Sequence, residues 1–331
     1  MRSGSFFWVL IAIFGFVGSA VAADKSDFRR PLQIPFPANA PYSPLIATLG
    51  KMLYFDPRLS GAQNMSCASC HNPSFGWEVP VSGAVGSQNT ALGRHAPTIL
   101  NAAWIEPLFW DGRAATLEEQ AAGPITADVE MNAPLSEVVE RLEKIEGYRS
   151  GFAAAFPGQG LTEETLLTAI ATYERTVVSG WSPFDRWVEG AEDAISAAAK
   201  RGFDIFVGKA RCSACHSGWN MTDNQFHDIG LDTEDPGRAE FAPDDPLAQH
   251  AFKTPGLRNI AYRSPYTHNG SVYDLREIID HYVSGGIQRP SLSPLMQPLP
   301  LGEAEIQDLI AFLETLTAEE AAVPTPILPT N

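Results

Sequence analysis

The chain has 331 residues, enough for two domains of ordinary size, and its 19% charged and 44% hydrophobic make-up is that of a soluble globular protein. A formal net charge of -16, with no Lys/Arg cluster, argues against a nucleic-acid partner, because phosphate binding needs a basic patch. The acidic surface suits a basic or neutral protein partner, although excess negative charge also keeps a secreted protein soluble.

In chain order, Arg2, an apolar run from Phe6 to Val17 and the small-residue exit Ala20-Val21-Ala22 read as a signal peptide over residues 1–22, cleaved near Ala22. The run is too short for a comfortable membrane span, and no stable span is expected after cleavage; an uncleaved anchor is the alternative. The Pro- and Asn-rich stretch from Asp24 to Pro44 reads as an extended arm wrapping the first domain. Apolar residues at helical spacing from Leu45 predict a helix that Asp56-Pro57 stops.

Cys67-Ala68-Ser69-Cys70-His71 follows, and the pattern returns at Cys212-Ser213-Ala214-Cys215-His216. A C-x-x-C-H run is the attachment signature of a c-type haem, in which two thiols bond the porphyrin and the adjacent imidazole sits under the iron. These are the only four cysteines, so two covalent haems leave none over. Disulfides do not require a histidine after each pair, a thioredoxin-like C-x-x-C usually occurs once, and a zinc ribbon would place its pairs closer together. Covalent haem attachment takes place outside the bacterial inner membrane, which agrees with export and points to the periplasm.

Residues 72–94 are Gly- and Ser-rich, without strong periodicity, and hold no histidine. Beyond Trp104 and Phe109-Trp110-Asp111-Gly112-Arg113, Thr116-Leu117-Glu118-Glu119 offers a capping box for a short helix that carries Gln120 and ends at Gly123-Pro124. A turn then presents Glu130-Met131-Asn132, and helices are predicted over 136–142 and 162–178. The second half opens with a helix near 193–207 running into the second haem motif; helix then haem motif thus occurs twice, as in two related cytochrome-like domains. A polar loop extends to about Asp245, a helix from about Leu275 carries His281 and Tyr282 and stops at Gly285-Gly286, and a last helix spans 303–316. No βαβ pattern occurs. The fold class expected is mainly α, with two cytochrome c-like domains over 23–185 and 186–331, each holding one covalent c-type haem.

These residues, with Pro97-Thr98-Ile99-Leu100-Asn101-Ala102, Leu117-Glu118-Glu119-Gln120, Glu130-Met131, Leu257-Arg258-Asn259 and Pro265-Tyr266-x-His268-x-Gly270, make nearly the whole mature chain resemble the bacterial di-haem cytochrome c peroxidase superfamily in its MauG-like branch. The resemblance implies a peroxide-reacting haem on His71, with Gln120 and Glu130 on its distal side and Pro124 nearby. It implies Trp110 as an electron relay between the haems, and a six-coordinate second haem on His216 with His268 close by but not a ligand. In ordinary members a methionine is the sixth ligand of that haem, and in the MauG-like branch a tyrosine; by position this is Tyr282, with His281 and Met296 as alternatives. Ordinary members also place a distal histidine after the first motif. The histidine-free 72–94 loop implies a first haem that is open when oxidised. A calcium ion often lies between the haems in this family, held by an asparagine side chain and by carbonyls near Pro265. Here His95 stands at the asparagine position, and a neutral imidazole is a poor ligand for a hard cation, so calcium is doubtful.

The chemistry implied is acid–base work by Glu130, assisted by Gln120, on hydrogen peroxide, with the oxidising power supplied by the haems. Taken alone, Glu130 would read as a solvated turn residue and Trp110 as core; Trp104 and Trp219 read as packing or haem-edge residues, and His227 and His250 as surface residues. The leading expectation is a periplasmic oxidase that uses hydrogen peroxide to form a high-valent two-haem state and oxidises a partner protein, such as a tryptophan-bearing precursor of an amine dehydrogenase or a copper-binding protein. Segments 218–223 and 280–287 look closer to the copper-associated kind. The alternatives are a peroxidase fed by a small cytochrome or copper protein as electron donor, and a non-catalytic electron-transfer cytochrome, which requires two six-coordinate irons.

Overall fold

The computed structural model describes residues 23–330, so the expected signal peptide lies outside the described residues. Ten helical segments carry the fold: α1 Pro44–Tyr54, α2 Cys67–Cys70, α3 Leu117–Thr126, α4 Leu135–Glu143, α5 Glu146–Ala155, α6 Glu163–Arg175, α7 Pro183–Val188, α8 Ala197–Val207, α9 Leu275–Ser284 and α10 Glu303–Glu314. The one sheet among the described residues pairs Phe226–His227 with Phe252–Lys253. No described helix is long and apolar enough to cross a membrane.

Each half is built around a crossed helix pair. Gly50 of α1 packs on the Ala169 carbonyl of α6, and Gly202 of α8 packs on the Asp308 carbonyl of α10; an added Cβ would stand 1.8 and 1.9 Å from those oxygens, so both crossings require glycine. The first core gathers Leu53, Ile125, Leu142, Phe152 and Ile170, and the second Phe203, Phe206, Ile279, Ile306 and Phe312.

The duplication goes further than helix and haem motif. In one sequence register Asn101 (φ 61°) matches Asn259 (φ 58°), Phe109 (φ 66°) matches Thr267 (φ 80°), and Gly112 matches Gly270. The bridges Leu108–Ala114 and Tyr266–Val272 coincide, as do helices α3 and α9. Both asparagines brace a distant strand of chain: Asn101 Oδ1 accepts from the Ser179 N–H at 2.9 Å and Asn259 Oδ1 from the Ala318 N–H at 3.0 Å. The halves meet reciprocally, since the His95 N–H donates to the His268 carbonyl and the Lys253 N–H to the Trp110 carbonyl, each at 2.8 Å.

Three expectations are corrected. The N-terminal arm serves the second half: Phe28, 1% exposed, stacks edge-on against Phe203 at 5.6 Å. The C-terminal tail crosses the other way, so that Arg58 donates to the Pro329 carbonyl. Helix α3 does not end at Gly123-Pro124 but runs to Thr126; its cap is Thr116, while Glu119 reaches back to the Ala115 N–H rather than to the cap residue. Helices α5 and α7 were not expected at all.

Candidate active site

All four cysteines are free, so the disulfide reading fails. Cys212, Cys215 and His216 line a cavity of about 210 Å³ with mostly apolar walls, shared with Tyr282, Met296, His268 and Trp110. Two unpaired thiols and an imidazole facing an apolar cavity fit a thioether-bonded porphyrin. His216 is oriented by a 3.0 Å contact between Nδ1 and the Met221 carbonyl, which leaves Nε2 for a metal. Burial in these apolar surroundings pushes the Cys212 thiol up to about 12.

At the first motif, burial lowers His71, favouring the neutral imidazole that can ligate, while the Pro97 and Trp77 carbonyls oppose the shift; its Nδ1 makes no well-aligned hydrogen bond. Tyr54 fixes the turn by donating to the His71 carbonyl at 2.9 Å. The residues there fit the same group.

Glu130 is delivered by a turn tied back to α3: its N–H donates to the Ala127 carbonyl, the Met131 N–H to the Pro124 carbonyl, and its own carbonyl accepts from Ser87 at 2.8 Å. The missing N–H of Pro124 costs α3 one helix bond, but its carbonyl anchors this turn. Burial raises the Glu130 carboxyl above the ordinary range and Arg113 opposes the shift; the thiol of Cys70 is pushed up by burial and then by the charge of Glu130, so that carboxyl sits beside the first haem motif.

The internal register explains why the two sites differ. Tyr282 of α9 faces the second cavity, and the residue matching it on α3 is Pro124, which carries no ligand atom. The match of Gln120 is Ile278, and that of Trp110 is His268. Burial, then the charges of Cys215 and Cys212, hold the Tyr282 phenol well above its usual range, so only a cation at the site would favour the phenolate. His281 is engaged elsewhere, 2.8 Å from the Ile229 carbonyl, whereas Met296 shares the cavity.

Trp110 lies on the wall shared by this cavity and a second one of about 80 Å³, its Nε1 donating to the His95 carbonyl at 2.8 Å. His268 is buried, stacked on Phe252 at 3.6 Å, and driven down to about 4 by burial. His227 and His250 are half-buried rather than surface residues: both line the cavity of about 210 Å³, and the hydrogen bond that His227 Nε2 donates to the Asp223 carboxylate, 2.9 Å away, raises His227 to about 10. Cys215, Asp223 and His227 cluster closely enough for a metal, but the thiol belongs to the haem motif. Trp104 and Trp219 stack edge-to-face at 4.7 Å. Sequence reasoning missed Glu78 and Arg263, a buried pair between the halves.

Fold and site together define a di-haem c-type peroxidase. Residues 44–193 match the family described as di-haem cytochrome c peroxidase and residues 199–317 the cytochrome c family. The chain belongs to the di-haem cytochrome c peroxidase and MauG family, and is a haem-dependent peroxidase-type oxidoreductase. It is 50% identical to the methylamine utilization protein MauG of Methylorubrum extorquens over 312 residues, 93% of this chain and 88% of that one. With the cytochrome c551 peroxidase of Pseudomonas aeruginosa it shares 34% identity over 313 residues, 91% and 87% of the two chains. The crystal structure of a MauG-like protein associated with microbial copper homeostasis superposes with a TM-score of 0.81 at 32% identity, over 88% of this chain and 95% of that one.

Proposed function

We propose that this protein is a periplasmic MauG-like oxidase that uses hydrogen peroxide to oxidise side chains, tryptophan foremost, of a partner protein in methylamine utilisation. The observation carrying this reading is the asymmetry of the two halves: a tyrosine, not a methionine, projects from α9 into the His216 cavity, while the residue matching it on α3 is Pro124, which offers no ligand atom. The identity to the methylamine utilization protein, higher than to the copper-associated one, supports the choice of partner class.

Cys67, Cys70 and His71 would hold one haem and Cys212, Cys215, His216 and Tyr282 the other; when bound, the haems supply the oxidising power that peroxide confers. The chain supplies the rest. Glu130 accepts the proton of incoming peroxide and returns it to the departing oxygen, with Gln120 hydrogen-bonding on the same side. Pro124 keeps that side clear of a protein ligand. Trp110, between the halves, carries charge from one site to the other, and the electrons come from the partner. Calcium has no part in this reading.

The test is to add peroxide to the fully ferric holoenzyme with candidate precursor proteins and to analyse those by mass spectrometry. Oxygen or cross-link mass shifts on a precursor tryptophan are expected. Turnover only after prior reduction by a small cytochrome, with no partner modified, would favour the simple peroxidase.

A further inference from the structure

Family resemblance implies a calcium ion between the two haem sites, at residue 95 and the carbonyls around Pro265. In this chain the side chains there are already engaged with one another and with neighbouring backbone. His95, 2% exposed, has Nδ1 3.0 Å from the Val81 carbonyl and Nε2 3.3 Å from Glu78 Oε2. The other oxygen of Glu78 accepts from Arg263 Nε at 3.0 Å, from Arg263 Nη2 at 2.9 Å and from the Thr98 N–H at 3.0 Å. Arg263 is 5% exposed, and its Nη1 donates to the carbonyls of Gly256 at 2.7 Å and Arg258 at 3.0 Å. Calcium takes six to eight oxygen ligands, several of them usually ionised carboxylates. Here position 95 offers nitrogen, the carboxylate is neutralised by a guanidinium, and a permanent positive charge already stands in the cluster. These residues do not fit calcium.

We infer that the buried Glu78–Arg263 pair replaces the metal in this chain and positions the two haem pockets relative to each other. Its bonds reach both segments that pack behind the haem-ligating histidines: Thr98 adjoins Pro97, which lies against His71, and Gly256 adjoins Pro255, which lies against His216, with Arg258 two residues further along the same segment. Between them His95 takes the Trp110 Nε1–H on its carbonyl and gives its own N–H to His268, each at 2.8 Å. One covalently attached cation therefore ties both pockets and the tryptophan between them. A guanidinium does not dissociate, so this arrangement is independent of the divalent-ion concentration outside the cell.

The wild-type holoenzyme decides the metal question by itself. After desalting, elemental analysis should find calcium well below one per chain, terbium(III) should give no saturable luminescence, and EDTA should leave the visible spectrum and both haem midpoint potentials unchanged. The positioning role is read from Glu78→Gln, which keeps the shape and removes the charge: both midpoint potentials should shift together, Glu78→Asp should restore part of the shift, and Arg263→Lys, which keeps a buried cation, should fall between. Stoichiometric calcium whose removal changes the haem spectra overturns the inference, and so do unaltered potentials in Glu78→Gln. If Glu78→Gln does not fold, the comparison of Glu78→Asp with Arg263→Lys carries the same test. None of these readouts depends on which partner is oxidised, so failure of the proposed substrate class would leave them untouched.

Discussion

Glu130→Gln removes the proposed proton acceptor while keeping size and hydrogen-bonding capacity. General acid–base groups of this kind contribute about 10²–10⁴-fold, equivalent to roughly 3–5 kcal/mol of barrier, so the second-order rate of the ferric holoenzyme with peroxide should fall by about that factor in a stopped-flow measurement. The structure also sets the sign of the pH dependence. Burial raises the Glu130 carboxyl, so its working, ionised form is lost as pH falls through a value above the ordinary carboxylate range, and the acidic limb of the rate profile should lie there. Arg113 opposes that shift, and Arg113→Gln should therefore move the limb to still higher pH while the plateau at high pH remains. A Glu130→Gln rate within about threefold of wild type, or an Arg113→Gln limb displaced to lower pH, would refute a proton-transfer role for this carboxyl, because general acid–base catalysis at its weakest exceeds that margin.

Pro124→Tyr places a phenol where α3 matches the Tyr282 position of α9; the oxidised first haem should lose its high-spin signal and react slowly with peroxide, and a persistent high-spin spectrum would count against the matched register. Gly202→Ala drives a Cβ to 1.9 Å from the Asp308 carbonyl oxygen and 2.7 Å from the Phe312 Cβ, so α8 and α10 must part. Urea unfolding of the holoprotein should show a loss of about 1–3 kcal/mol or more, against no loss in Gly93→Ala, whose added Cβ meets nothing within 4 Å. Equal stability of the two variants would sink the packing argument.

How much of this was legible in sequence divides by range. Haem attachment was, because C-x-x-C-H is a local pattern whose chemistry needs only five consecutive residues. So were the helices with clear caps: α9 starts at Asp274, whose side chain accepts from the Glu277 N–H, and stops at Gly285 with φ 80°. The absence of a distal histidine in residues 72–94 and the place of Tyr282 were legible once the resemblance was in hand. The Asn101/Asn259 and Gly112/Gly270 register is also present in the sequence, and it matches Pro124 to Tyr282 without any family.

What tertiary structure decided is which half each distant segment serves. Phe28 crosses to the second core, where it buries its ring among apolar side chains, and Pro329 crosses to the first half, where its carbonyl accepts from Arg58. His227 and His250 come to a cavity wall through the folding of their own half, and Glu78 finds Arg263 only when the halves dock. Nothing in the spacing of those residues announces these contacts. By itself the sequence determined the covalent chemistry and the local elements, through short-range geometry. The packing of the two similar halves determined which charges are buried and paired, and it sets Trp110 on the wall shared by two cavities, the larger of them also lined by Tyr282.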